Sequence, residues 1–389
     1  MSQGSGVRTA SALSEHPLAT HAVGECVGHL LDVGAGDEPD LVVLFVTEPH
    51  LGGLEDIVRA VRQLMSPRTL VGASAVSVLA GRREVEEHAA IAMFALWSMP
   101  TDPTDRPGPV RIGVTPRYEG PELSGLEQLR DATGTLLVLA DPFTCPVDRL
   151  LDEVATVAPD LAVVGGLASA ARLPGGNRLV LGGELHRDGA VGVLLPTSVP
   201  VDTVVSQGCR PIGQPVTVTK AERNMLQELA GRPAFELLVE VLQGLPPEEQ
   251  ALAAQGLHVG RVIDEYQPEF GRGDFLIRAV LGGDREAGAV AVGDEIEVGS
   301  TIQFQVRDAA TADEDLDELL AGRSARGALV FTCNGRGSRL FGVPDHDAEA
   351  VSEALGDAPV AGMFCAGELG PVGSRNFAHG FTASVALFG

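Results

Sequence analysis

The six residues Leu41-Val-Val-Leu-Phe-Val46 contain no polar side chain. A half-exposed strand alternates apolar and polar residues, so an unbroken run of this length reads as a strand buried on both faces. The residues after it agree. From Gly53 to Met65, the side chains Leu54, Ile57, Val58, Val61 and Leu64 recur on one face of a helix. Leu70-Val-Gly-Ala-Ser-Ala75 then reads as a second short strand ending in small residues, and His88 to Trp97 as a third.

The same order returns. Leu136–Leu139 is a strand, Val147–Val157 a helix, Leu161–Ser169 a strand ending in small residues, and Ala190–Leu195 a strand. Near the C-terminus come Ala328–Thr332, a helix over Asp347–Leu355, then Pro359–Phe364 and Thr382–Phe388. The first strands align on Leu44, Leu139 and Phe331, at offsets of 95 and 192 positions. The second offset is close to twice the first, so a divergent further copy is expected between them. A helix over Pro233–Leu242 and strands near 257–263, 276–281 and 302–306 would supply it. A period this long means β-α-β-β units and not a solenoid. The expected class is mixed α/β, with sheets built from repeated β-α-β-β units and helices covering them.

A chain of 389 residues exceeds what one hydrophobic core usually serves, so two domains are expected. The Gly/Pro-broken stretch Gln207–Val216 puts the boundary near 220, giving domains 1–220 and 221–389. Within the first, about 20 residues form a flexible or loosely packed lead-in before a helix over Thr20–Leu31. Thr219–Glu228 reads as strand, turn and the start of a helix. Thr311–Leu320 reads as an acidic helix, and Asp102–Gly120 as a surface connection.

A formal net charge of −25 repels DNA, RNA and anionic lipid, so nucleic-acid partners are not expected. The five cysteines, at 26, 145, 209, 333 and 365, form no CxxC pair. Their irregular spacing indicates neither a metal site nor a disulfide framework, and no cofactor motif is present. No apolar run reaches the length of a membrane span, and Met1–Thr20 is not a signal peptide. The expectation is a soluble, cytoplasmic protein without membrane insertion.

Two motifs stand out as ligand-binding candidates. Cys333-Asn334-Gly335-Arg336-Gly337 follows directly on a strand, where α/β sheets place ligands. Its glycines allow positive φ and turn backbone N–H groups toward one point, and Arg336 adds a bidentate donor for a carboxylate or phosphate. Gly367-Glu368 ends the second strand of the same unit. Glu368 would accept from an ammonium or hydroxyl, or pair with Arg336. Cys333 with His379 also suggests a hydrolase or transferase, although no motif places Cys333 at a nucleophile elbow. The earlier units carry Thr47-Glu48-Pro49 and Ala140-Asp141-Pro142 after their first strands, without the Gly-Arg-Gly cradle. That asymmetry leads to the expectation of a ligand at the last unit.

These residues resemble the FIST family, with its N-terminal and C-terminal FIST domains. The carrying motifs are Phe331-Thr-Cys-Asn-Gly-Arg-Gly337, Pro359-Val-Ala-Gly362, Gly367-Glu368-Leu-Gly370, and a late His379 and Thr382. Gly208-Cys-Arg-Pro-Ile-Gly213 looks like the link between halves, and Glu228–Glu236 like the opening helix of the second. The resemblance spans about residue 20 to the end. It implies a sensory, signal-transducing module that binds small ligands such as amino acids. With no output domain recognisable in the chain, it also implies a separate signalling partner. A Cys333-dependent enzyme and a pure protein-interaction scaffold are the alternatives.

Overall fold

The computed structural model describes residues 7–98, 106–118 and 120–389. Part of the expected surface connection 102–120, and Met1–Gly6 of the expected lead-in, lie outside these. The chain forms two compact units. The larger gathers residues 1–205, 317–378 and 382–389, and the smaller holds 206–316 with 379–381.

The larger unit contains three modules of similar strand and helix order. The first runs β1 (Arg8–Ser14), α1 (Ala19–Gly34), β2 (Leu41–Thr47), α2 (Leu54–Met65), β3 (Thr69–Ala75), the hairpin β4 (Ser77–Ala80) and β5 (Arg83–Glu86), and β6 (Ile91–Trp97). The second runs β7 (Gly108–Thr115), β8 (Glu122–Ser124), β9 (Gly134–Ala140), α3 (Val147–Val157), β10 (Leu161–Leu167), the hairpin β11 (Leu179–Leu181) and β12 (Glu184–His186), and β13 (Ala190–Leu195). The third opens with β14 (Val201–Gln207) and is then interrupted by the smaller unit. That insertion carries β15 (Cys209–Glu222), β16 (Met225–Leu229), β17 (Arg232–Pro233), α4 (Ala234–Gly244), α5 (Pro247–Gln255), β18 (Leu257–Val262), β19 (Phe275–Asp284), β20 (Ala289–Val292) and β21 (Thr301–Arg307). After α6 (Ala309–Leu320) the third module resumes as β22 (Gly327–Cys333), the short α7 (Ser338–Phe341), α8 (His346–Ala354), β23 (Val360–Cys365), the hairpin β24 (Glu368–Val372) and β25 (Arg375–His379), and β26 (Thr382–Phe388).

In each module the first strand of the expected pattern, the one before the crossover helix, lies parallel to the strand after that helix and antiparallel to the last: β2 with β3 and β6, β9 with β10 and β13, β22 with β23 and β26. A parallel pair needs a long crossover, which the intervening helix provides. The hairpins are exchanged in a ring. β4 pairs with β23 of the third module, β11 with β3 of the first, and β24 with β10 of the second. Strands from both ends of the chain therefore share sheets.

One steric detail repeats. Gly72, Gly165 and Gly362 face Leu44, Val138 and Val330 across the parallel pair. A Cβ at any of the three would come within 2.4 Å of that partner's carbonyl oxygen. The inner sheet faces share one core that includes Phe45, Phe94, Phe331 and Phe388. The outer face of the first sheet packs against α1 and α2, and that of the second against α3. Continuous apolar strands follow from burial on both faces.

Three expectations need correction. Arg8–Ser14 is no lead-in: it pairs along its full length with β6, because its alternating buried residues supply an edge strand. The segment inserted after β14 holds no further β-α-β-β copy. Its seven-stranded sheet, in the order β15-β21-β18-β19-β20-β16-β17, is antiparallel in every described pairing. The expected helix start within Thr219–Glu228 is also absent, since β15 turns at Arg223 and Asn224 directly into β16. No helix among the described residues is long and apolar enough to cross a membrane.

Candidate functional site

The carboxyl ends of the parallel strands in an α/β sheet are where loops diverge and ligands bind. Residues at those ends in all three modules line one pocket of about 590 Å³. The first module contributes Glu48 and Pro49 after β2, and Val76 and Ser77 after β3. The second contributes Pro142 and Phe143 after β9, and Ser169 to Arg172 after β10. The third contributes Asn334 after β22, Phe364 and Ala366 at the end of β23, and Arg339. Ser169 joins the three: its hydroxyl accepts from Val76 N at 3.0 Å and donates to Phe364 O.

The walls carry both signs of charge. Glu86 accepts from the Ser338 backbone and hydroxyl at 2.8 and 2.7 Å, and Glu87 pairs with Arg339. The side chains of Glu48 and Arg172 are exposed on this wall and make no hydrogen bond or ion pair with other described residues.

Behind Asn334 the Cys-Asn-Gly-Arg-Gly loop turns inward. Gly337 takes φ +61°, and a Cβ there would meet Phe364 and Glu86 at 2.8 and 2.9 Å. Gly335 does not adopt positive φ. Arg336 is completely buried. Its Nε and Nη2 each donate to Asp347 on α8, at 2.8 Å. Asp347 is equally buried and also accepts from Thr332 Oγ1 at 2.5 Å, with His346 Nδ1 at 3.1 Å. Burial alone would raise the Asp347 carboxyl. The Arg336 guanidinium overcomes that and holds it well below the usual carboxylate range. The carboxylate that Arg336 grips is therefore the protein's own, and Arg336 is not turned to solvent. The reason is physical: a buried guanidinium needs a buried counter-ion.

Glu368 opens β24 and crosses to the second module's sheet, where it faces Gly166 of β10. It too is fully buried. Oε2 accepts from the Thr382 hydroxyl at 2.8 Å and from its backbone N–H at 3.1 Å. Burial pushes its carboxyl up to about 8, against the smaller opposing effects of Thr382, Arg336 and the Cys333 thiol. Oε1 has no partner of normal hydrogen-bond geometry, and the same is true of Arg336 Nη1. Gly367 is buried beside it, and its carbonyl accepts from Leu167 N at 2.8 Å. Cys333 is 7% exposed. His379 is the buried last residue of β25 and groups with the smaller compact unit.

Of the residues singled out in the sequence, then, Asn334 lines the pocket. Arg336, Gly337, Gly367 and Glu368 form the wall's interior. Sequence reasoning missed Phe143, Ser169, Arg172 and the acidic hairpin residues Glu86 and Glu87. It also passed over Asp347, since an aspartate in the first turn of a helix reads as an ordinary favourable partner of the helix dipole. A signal for Glu48 was present: Glu48-Pro49 and Asp141-Pro142 occupy the position that Asn334 takes in the third module. The difference among modules leads to the expectation of a ligand at the last one; the pocket beside it is lined by residues of all three.

Family models match over most of the chain: the FIST N domain over residues 40–232 and the FIST C domain over 234–371. The boundary between the two matches falls within the smaller compact unit, not at its edge. The uncharacterized protein Mb0898c of Mycobacterium bovis is 44% identical over 381 residues, covering 96% of either chain. The uncharacterized protein Rv0628c of Mycobacterium tuberculosis is 43% identical over 389 residues, covering 98% of this chain and 100% of its own. Matched in both halves and at full length, the chain belongs to the FIST family, a sensory and signal-transduction family.

Proposed function

We propose that the protein senses a small molecule bound in the three-module pocket, and that this molecule is an amino acid or a similar carboxylate-bearing metabolite. The observation that carries this reading is the presence of Arg172 and Glu48, both exposed and without partners among the described residues, on the walls of one pocket. A zwitterion offers a carboxylate to the first and an ammonium to the second. Asn334 adds an amide that donates and accepts, and Phe143 and Phe364 offer apolar surface to a side chain. The buried residues Cys333, Arg336, Gly337, Gly367 and Glu368, with the half-buried Gly335, support Asn334 from behind, so a ligand pressing on that loop bears on a stiff, charged network. That is how occupancy would reach a signalling partner.

Binding to the native state raises stability by mass action, by about 2.7 kcal/mol at a hundred times the dissociation constant. A thermal-shift screen of amino acids and small carboxylates is expected to give at least one melting-temperature rise of a few degrees. Arg172→Ala should abolish that rise without lowering the melting temperature of the ligand-free protein. The reading fails if no such metabolite shifts the wild type, or if Arg172→Ala and Asn334→Ala bind every hit as wild type does.

A further inference from the structure

The last residues of β22 and β23 are both cysteines, and they stand directly opposite one another. Cys333 pairs with Cys365 in the parallel register, as the final step of a ladder that begins at Ala328 and Val360. Residues in direct register on neighbouring strands project to the same face of the sheet. Here it is the inner face, because Phe331 and Met363, two positions earlier, belong to the central core. Adjacent strands lie about 4.8 Å apart, inside the Cα separation that a disulfide spans. Neither sulfur is in a disulfide.

The surroundings fit reaction and not mere filling. Cys333 retains slight exposure, and the next residue, Asn334, lines the pocket. The buried Arg336 guanidinium and the Glu368 carboxyl both lie close to Cys333. Cys365 is fully buried, and its Sγ occupies space that only a glycine at position 166 leaves open: a Cβ on Gly166 would lie 2.3 Å from it. Asn334 N donates to Cys365 O at 2.8 Å, so the two strand ends are already tied together.

We propose that Cys333 and Cys365 form a peroxide-reactive thiol pair that closes reversibly to a disulfide in the wall of the pocket. The Cys333 thiol releases its proton to solvent, from which Glu368 later recovers the one it donates, and the thiolate attacks the proton-bearing oxygen of a hydroperoxide. The O–O bond breaks, Cys333 becomes a sulfenic acid, and the departing alkoxide or hydroxide takes up a proton, for which the Glu368 carboxyl is a nearby source. The Cys365 sulfur then displaces the sulfenic hydroxyl. The S–S bond forms, the S–O bond breaks, and the hydroxyl leaves as water with the Cys365 proton. Two thiols and one peroxide thus give one disulfide, one alcohol or water, and one further water. Opposed Cβ atoms on parallel strands sit farther apart than a relaxed disulfide prefers, so closure draws the strand ends together. Asn334 and Ala366, the next residue on each strand, move with them, and both line the pocket.

The test needs no pocket ligand. Purified protein is treated with stoichiometric hydrogen peroxide, remaining thiols are alkylated, and intact and peptide masses are read. The wild type is expected to lose about 2 Da and two alkylation sites of its five cysteines. The cross-linked peptides should contain Cys333 and Cys365, and dithiothreitol should restore both thiols. Cys365→Ser should stop at a Cys333 sulfenic acid that a 1,3-dione traps, and Cys333→Ser should not react. Retention of five alkylatable thiols in wild type would overturn the proposal. So would oxidation centred on another cysteine, or conversion of Cys333 to a sulfinic acid while Cys365 stays reduced.

Discussion

Asp347→Ala is expected to destabilise the larger compact unit by roughly 3–5 kcal/mol, a large part of the total stability of an ordinary domain. Nothing in the usual reading of a helical aspartate suggests so large a loss. It follows from burial. Arg336 and Asp347 are both inaccessible, and two parallel N–H···O bonds of 2.8 Å join them. Removing the carboxylate leaves a guanidinium in the interior with Nε and Nη2 unpaired, beside an Nη1 that already lacks a partner. The Thr332 hydroxyl loses its acceptor at the same time. Asp347→Asn keeps the shape and one acceptor, so it should cost less than alanine. Replacing both partners with apolar residues of similar size should recover much of the loss, because the desolvation penalty of the charges disappears with them. Urea unfolding of the two single variants and the apolar pair checks this. A cost below about 1 kcal/mol for Asp347→Ala would mean that water reaches Arg336 and the pair is not the buried ion pair described.

The framework of the fold was legible because burial on both faces writes itself into sequence as unbroken apolar strands. Leu41–Val46, Leu136–Leu139 and Ala328–Thr332 each mark the first strand of a module. The small residues closing the second strands were also visible, and the structure explains them: Gly72, Gly165 and Gly362 sit against the carbonyls of the first strands. The hairpins were not legible. β4–β5, β11–β12 and β24–β25 are strands of five residues or fewer, and each finds its partner in another module. Local pattern cannot reveal such a partner. The smaller unit was misread as a further module because its strands and its helix at 234–244 occur at similar spacing, while antiparallel order is set by tertiary pairing.

The candidate site divides along the same line. Local chemistry places the Cys333–Gly337 loop after a strand, and β22 does end at Cys333, with Asn334 beside the pocket. It does not tell whether an arginine faces outward or inward. Arg336 faces inward because α8 returns Asp347 to it, 11 residues later in the chain. Arg172, in a loop of the second module, carried no motif at all. Only the ring of exchanged hairpins and shared core brings it to the same cavity as Asn334 and Glu48.

Stability of the larger unit should fall by several kcal/mol between about pH 5 and pH 8, the reverse of what carboxylate-rich proteins usually show on leaving acid. Two buried carboxyls carry the effect. Burial raises Glu368 from an ordinary value of 4.5 to about 8. Burial, reinforced by the neighbouring Asp347 charge, raises Glu84 to about 8 as well. For each, the folded state binds a proton that the unfolded chain has released throughout the window between the two values. Stability is therefore full below the unfolded value and declines as pH rises, levelling above 8. Asp347 acts with the opposite sign, since its carboxyl is held low in the folded state, but its contribution is lost only in stronger acid than this window. Glu368→Gln isolates the first term. Its amide oxygen still accepts from the Thr382 hydroxyl and N–H, and the variant carries no titrating proton. Its urea midpoint should depend less on pH than that of wild type, so the two curves converge or cross toward pH 8. Parallel curves from pH 5 to pH 9 would show that Glu368 is ionised throughout. In that case the interior behind Asn334 is wetter and more accommodating of charge than its packing implies, and a ligand would have no stiff network to press against.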